Sequence, residues 1–184
     1  MKKLIIALFM LFSSAATYAQ FNKGRMLVGG QLSLTSVPNS EYKGTTFSLS
    51  PQFGYFVINN FAVGAGINYN VQKNTSDNST DYFSTSLQFQ PFVRYYFKPG
   101  IFIHGSYGIG AGKAKTTSYE SSYNIYNWTT SAGYAIFLND HVAIEPMLGY
   151  SWYTVNDKGT DGEKSSGSSL YFQVGLQVYL GRKN

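Results

Sequence analysis

The chain has 184 residues, enough for one domain, and a net charge of +5 from 14 basic and 9 acidic side chains. Charged residues make up 12% of it and aromatic residues 17%, whereas soluble domains carry roughly 25% charged residues. The absence of cysteine excludes a disulfide framework and a lipidated cysteine anchor, and no basic run indicates nucleic-acid binding.

The first segment, MKKLIIALFMLFSSAATYAQ, predicts a secretory signal peptide of residues 1–19. Lys2 and Lys3 form its basic start, and the apolar run that follows is too short to span a bilayer. Thr17 and Ala19 fit the small-residue cleavage pattern before Gln20, which disfavours the alternative of a helical membrane anchor. Cleavage leaves one predicted domain, residues 20–184, with a net charge of about +3.

Apolar residues then alternate with small or polar ones at a period of two, which predicts β-strands. Eight strands follow in series, at 26–35, 45–57, 61–72, 81–97, 101–115, 123–137, 141–155 and 168–180. Short connections at 58–60, 98–100 and 138–140 separate pairs of strands, and polar stretches at 36–44, 73–80, 116–122 and 156–167 predict longer loops. Most of these strands reach the ~9–11 residues that a transmembrane strand needs.

The two faces of these strands decide between a soluble and a membrane barrel. The last strand, SLYFQVGLQVYLG, places Leu, Phe and Val on one face. The other faces carry Gly, Ser, Thr, Asn and Gln, and only Arg94 and Glu145 bring charge to the strand centres. A water-facing surface would carry more charge, so the apolar face is predicted to contact lipid. A soluble lipocalin-like barrel is the alternative.

Aromatic residues at both strand ends support the lipid-facing assignment, because they form belts at membrane interfaces. The belts are Tyr55, Phe61, Tyr95 and Phe97 near the short turns, and Tyr69, Phe83, Trp128, Tyr150 and Trp152 near the long loops. An open sheet edge is too costly in lipid. The sequence therefore predicts an all-β fold, an eight-stranded antiparallel transmembrane β-barrel with short periplasmic turns and longer extracellular loops.

Three prolines lie inside predicted strands, at Pro51, Pro91 and Pro146. Proline cannot donate a ladder hydrogen bond, so bulges or locally missing pairs are expected there. The alternation continues on both sides of each proline, which favours bulges over broken strands.

Three stretches resemble an outer-membrane β-barrel family abundant in Bacteroidetes: SPQFGYFVINNFAVGAGINYN, QPFVRYYFKPGIFIHGSYGIGAG and IEPMLGYSW. The resemblance implies a small barrel of the OmpA/OmpX type in a Gram-negative cell envelope, and it implies no particular activity. Residues Gly175, Val178 and Leu180 look like the C-terminal β-signal that the outer-membrane assembly machinery reads. Here Leu180 stands in place of the usual Phe, and residues 181–184 extend beyond it.

By parity, Arg94, His104 and Glu145 point into the barrel, each roughly 13 Å from the periplasmic turns. An isolated interior charge is expensive, so Arg94 is expected to pair with Glu145. Gln52, Tyr96 and Gln177 are candidates to complete this polar network. A structural plug is the favoured interpretation and a gate or proton path the alternative, because eight strands leave a lumen that side chains just fill.

His104, Ser106 and a later Glu120 resemble the His-x-Ser…Glu arrangement of lipid A deacylases, which would perform acyl hydrolysis. The inward direction of His104 and Ser106 disfavours that chemistry, and no metal-ligating pattern or cofactor is indicated. Lys113 and Lys115 face outward near the outer rim, where they are candidates to contact lipopolysaccharide phosphates.

The combined prediction is a small, monomeric outer-membrane barrel that is not an enzyme. Its expected role is structural or interactive, through membrane integrity or adhesion by the extracellular loops. A narrow porin-like channel and a lipid A-modifying enzyme are the alternatives. The expected partners are outer-membrane lipid, lipopolysaccharide and, during biogenesis, the assembly machinery; nucleic acid is not expected.

Overall fold

A computed structural model describes residues 21–38, 43–76, 79–97, 99–116, 119–159 and 164–181, so the predicted signal peptide lies outside it. The described residues form strands without any helix. The strands are β1 Met26–Pro38, β2 Lys43–Ile58, β3 Phe61–Ser76, β4 Ser79–Tyr96, β5 Ile101–Lys115, β6 Glu120–Tyr134, β7 Ile136–Phe137, β8 Val142–Asp157 and β9 Lys164–Leu180. None of the described segments is a helix long and apolar enough to cross a membrane.

The strands close into a barrel because each pairs antiparallel with its neighbours and the last returns to the first. The closing seam joins β1 to β9, from Met26 opposite Leu180 to Gln31 opposite Gly175. The two-residue β7 lies on the same edge of β8 as β6, so the two are parts of one strand interrupted at Ala135. The prediction of a closed eight-stranded antiparallel barrel is confirmed.

The prolines interrupt pairing without inserting a residue. The same register continues across each of them, from Leu49↔Tyr69 to Gln52↔Gly66, from Phe89↔Ile109 to Phe92↔Ser106, and from Gly133↔Met147 to Ile136↔Ile144. The favoured prediction of bulges at Pro51, Pro91 and Pro146 is therefore wrong. Each site is a locally missing pair, because proline lacks the N–H that the ladder needs. The gap at Pro146 coincides with the break between β6 and β7.

The strands also continue through most of the stretches that were predicted to be long loops. Pairing extends to Ser76 opposite Ser79 in one hairpin and to Lys115 opposite Glu120 in the next. In the third, it extends to Asn156 opposite Lys164. Beyond the lipid a ladder needs no apolar residues, so polar composition does not end it. The barrel wall consequently projects past its apolar band at this end.

Alternate side chains face lipid and lumen as predicted. Leu170 and Phe172 on β9 are each 69% exposed, whereas Gln177 and Tyr179 on the same strand are buried. A glycine allows the largest lumen residues to fit: a Cβ on Gly64 would stand 2.5 Å from the ring of Phe92. Side chains therefore fill the lumen at the level of Phe92.

Candidate functional site

An ion pair crosses the lumen between opposite walls of the barrel. Arg94 extends from β4 and Glu145 from β8, and Arg94 Nη1 lies 2.7 Å from Glu145 Oε2. Both side chains are completely buried. The alternation of β4 places Arg94 inward between the outward Val93 and Tyr95. Each charge thus compensates the desolvation of the other, which neither could bear alone.

Two tyrosines close this pair into a ring of hydrogen bonds. Arg94 Nη1 donates to Tyr96 Oη at 3.1 Å, and Tyr179 Oη donates to Glu145 Oε1. The two tyrosine hydroxyls lie 2.9 Å apart. Because the hydrogen of Tyr179 is committed to the carboxylate, Tyr96 donates and Tyr179 accepts between them. The hydroxyl of Tyr96 and that of Tyr179 therefore each donate one hydrogen bond in a fixed direction around the ring.

His104 joins the ring from β5. Its Nδ1 accepts a hydrogen bond from Arg94 Nε at 3.2 Å, which leaves the ring proton of a neutral histidine on Nε2. The guanidinium also lies 4.6 Å from the ring centroid of Phe102, within cation–π distance. The contacts of His104 are thus those of a histidine that holds a cation in place.

The two glutamines predicted for this network do not join it. Gln177 is completely buried, yet neither amide atom has a hydrogen-bond partner among the described residues. Gln52 Nε2 is also buried without such a partner. The structure therefore brings Arg94, Glu145 and His104 together, with Tyr96, and leaves Gln52 and Gln177 beside them.

An aromatic floor seals the periplasmic side of the ring. Phe21 stacks on Tyr96 with ring centroids 4.0 Å apart, and Phe56, Phe137 and Tyr179 surround it at 5.8–6.0 Å. Phe21 precedes β1, so the alternation of the strands carries no signal for its position. For Tyr179, the alternation along β9 was the signal in the sequence that its side chain points inward.

Arg25 is a second buried cation that the sequence reasoning missed, because it lies just before β1. Its Nη2 donates to the backbone oxygen of Tyr179 at 2.9 Å. Burial lowers the pKa of the Arg25 guanidinium below its usual value, and the smaller opposing effects of Tyr179 and Asp140 do not reverse this. Arg25 thus ties the segment before β1 to the end of β9 at the closing seam.

A polar cavity of about 250 Å³ lies on the other side of the ring. His104 contributes to its wall, and Ser106, Asn127, Thr129 and Tyr171 are among the other lining residues. Its lining carries amides and hydroxyls but no acidic or lysine side chain. A small polar molecule that entered here would meet the Arg94–Glu145 ring before reaching the periplasmic end.

The residues of the deacylase-like pattern do not assemble into a triad. His104 and Ser106 are on β5 and line the cavity. Glu120 is opposite Lys115, nine residues farther along β5 than Ser106. At ~3.3 Å per residue that separation is about 30 Å. Among the described residues, no group of His, Asp or Glu side chains is arranged to hold a metal ion.

The rim lysines lie on the outer wall, and the C-terminal motif lies at the closing seam. Lys113 and Lys115 are exposed, and Glu120 lies 2.9 Å from Lys115 and 3.9 Å from Lys113. On β9, Gly175 is opposite Gln31, Val178 is opposite Val28 and Leu180 is opposite Met26. The residues that resemble a β-signal are therefore those that close the barrel.

Comparison with known proteins identifies the kind of barrel. The family model described as "Outer membrane protein beta-barrel domain" matches residues 75–184, more than half of the chain. A search of curated proteins found no significant relative.

Solved structures share the fold at low sequence identity. The translocator domain of the autotransporter NalP from Neisseria meningitidis aligns with a TM-score of 0.52 and 13% identity, over 95% of this chain and 67% of that one. The outer membrane protein OprG from Pseudomonas aeruginosa aligns with a TM-score of 0.51 and 11% identity, over 89% of this chain and 99% of that one. The beta domain of the Bordetella autotransporter BrkA aligns with a TM-score of 0.51 and 12% identity, over 83% of this chain and 69% of that one. These similarities show the fold alone.

Proposed function

This chain belongs to the outer membrane protein beta-barrel domain family, and we propose that it serves the outer membrane as a sealed structural and interaction barrel. The observation that carries the proposal is the plugged lumen. The ring of Arg94, Glu145, Tyr96 and Tyr179 crosses it, and the aromatic floor lies beneath. With no open path at this level, contacts with other molecules belong to the outer wall and the projecting strand ends.

The projecting ends supply a surface for such contacts. The β3–β4, β5–β6 and β8–β9 hairpins continue beyond the apolar band as paired, polar strands. In barrels of this class the short turns face the periplasm, so these ends face the cell exterior. A rigid paired ladder loses less conformational entropy on binding than a flexible loop would, which suits a contact surface.

Membrane integrity and adhesion are separable with one hairpin variant. Cells lacking the gene are compared with cells that carry the wild type or a chain in which residues 73–82 are replaced by a two-residue turn. Entry of a hydrophobic dye reports integrity, and attachment to coated surfaces reports adhesion. We expect gene loss to increase dye entry. If the shortened chain restores dye exclusion, membrane integrity depends on the barrel wall rather than on this hairpin. If loss of the gene changes neither dye entry nor attachment, the proposal is contradicted.

A narrow channel is the second candidate, favoured only by the polar cavity next to the ring. Purified barrel in planar bilayers separates the two. The sealed barrel is expected to give no stepwise conductance, because the ring and the aromatic floor both cross the lumen. Reproducible steps from the wild type would replace the sealed-barrel proposal with the channel.

A further inference from the structure

A groove of about 310 Å³ runs along the outer wall at the exterior end of β3 to β6. Strand register forms its floor: Tyr69 is opposite Leu87, and Leu87 is opposite Ala111. All three side chains face outward and are exposed. Lys113 and Lys158 stand at the polar edge of the same groove.

The charge at this edge is mainly positive. Lys113 is two residues above Ala111 on β5, and the backbone N–H of Lys158 donates to Ser122 O at 2.8 Å, which fixes Lys158 beside β6. The nearby Glu120 lies closer to Lys115, at 2.9 Å, than to Lys113, at 3.9 Å. Glu120 thus lies near two lysines, and the closer of them, Lys115, does not line the groove.

A second outer groove differs from the first in its charge. It is lined by Val28, Phe53, Ile67 and Phe89 around Pro51, has a volume of about 410 Å³, and contains no charged residue. Such a surface suits the acyl chains of any lipid. Of these two grooves, the one at the rim combines an apolar floor with cations.

We propose that the rim groove binds a phosphorylated glycolipid of the outer leaflet, an inference that rests on the proposed function of this chain as an outer-membrane interaction barrel. The phosphate lies between the ammonium groups of Lys113 and Lys158, and an acyl chain lies along Tyr69, Leu87 and Ala111. Lysine is a compact point charge that binds phosphate well. The floor includes Tyr69 of the aromatic belt, so the cations stand at the level of lipid headgroups.

Native mass spectrometry of the detergent-solubilised barrel, titrated with diphosphoryl lipid A, tests the site. Each lysine near a membrane surface contributes about 5-fold in affinity, so Lys113→Gln with Lys158→Gln is expected to weaken binding by about 30-fold. The matched control is Lys164→Gln, an exposed rim lysine on β9 that does not line the groove, so its loss is expected to change binding less than about 2-fold. Lys113→Arg with Lys158→Arg keeps both charges and is expected to retain binding.

A shape variant separates the groove from charge alone. Ala111→Trp fills the floor without changing the net charge, and it is expected to weaken binding by about 10-fold because it excludes the acyl chain. Equal losses for the Lys164 control and the double variant would overturn the proposal in favour of diffuse attraction. Displacement of the lipid by millimolar inorganic phosphate would overturn it in favour of a free-phosphate site.

Heat-dependent gel migration shows separately whether each variant is a folded barrel. All substituted side chains are exposed on the wall, so folding is expected to be unchanged. A folded double variant with undiminished lipid affinity refutes the glycolipid site and leaves the sealed barrel standing. Conductance by the wild type would refute the sealed barrel and leave the glycolipid site standing, so the two failures are distinguishable.

Discussion

Replacing Glu145 with Gln tests whether the lumen ring holds the barrel together. Gln has nearly the same shape and can still accept the hydrogen bond from Tyr179, but it removes the carboxylate that pairs with Arg94. Both charges are completely buried and 2.7 Å apart, and Arg94 Nη2 already has no hydrogen-bond partner in the described part of the chain. Leaving a buried charge uncompensated costs about 3–5 kcal/mol, so we expect Glu145→Gln to lower the free energy of unfolding by about that amount.

The assay is urea unfolding of the barrel in detergent, followed by the fluorescence of Trp128 and Trp152. Arg94→Met combined with Glu145→Leu removes both charges, and it is expected to recover most of the lost stability because an apolar pair replaces the ion pair. Gln177→Leu is the control for a buried polar group outside the ring. It is expected to be neutral or stabilising, because both amide atoms of Gln177 lack hydrogen-bond partners among the residues that the structure describes. A loss below about 1 kcal/mol for Glu145→Gln, or a double variant as unstable as the single one, would refute this reasoning.

Three other substitutions test the wall. Gly64→Leu is expected to block folding, seen as loss of the heat-resistant gel band, because its Cβ alone would stand 2.5 Å from Phe92. Leu176→Arg, in the middle of the lipid-facing wall, is expected to destabilise the barrel in bilayers by about 2–4 kcal/mol in urea unfolding, and an unchanged midpoint would contradict the lipid-facing assignment. Pro51→Val restores an N–H opposite Ile67, so we expect slower amide hydrogen exchange at the residue pairs that flank the gap. Unchanged exchange would show that proline is not the cause of the gap.

Alternation was enough to predict the closed barrel and the direction of its side chains. In β9 the outward Leu170 and Phe172 occupy even positions and the inward Gln177 and Tyr179 odd ones, and that parity fixes which side of the wall each one occupies. The same parity placed Arg94 and Glu145 inside. Their meeting follows from physics, because two opposite charges in one narrow lumen have no better partner.

Parity could not predict what depends on closure or on segments outside the strands. Phe21 and Arg25 precede β1, so no alternation applies to them, and they reach their sites only once β9 lies beside β1. The prolines were predicted to mark bulges because proline lacks the N–H that the ladder needs. The unchanged register across Pro51 shows that no residue is inserted there.

The strands continue farther than their polar composition predicts. Polar composition marks where lipid ends, but it does not mark where a strand ends. In the β5–β6 hairpin the ladder continues to Lys115 and Glu120, beyond the last apolar outward residue of β5, Ala111. The ladder thus places Lys113 above an apolar surface, and the backbone hydrogen bond from Lys158 to Ser122 places Lys158 beside it, one residue beyond β8. Because the lumen is plugged at the ring, this rim is the part of the described barrel best placed to recognise an amphiphile.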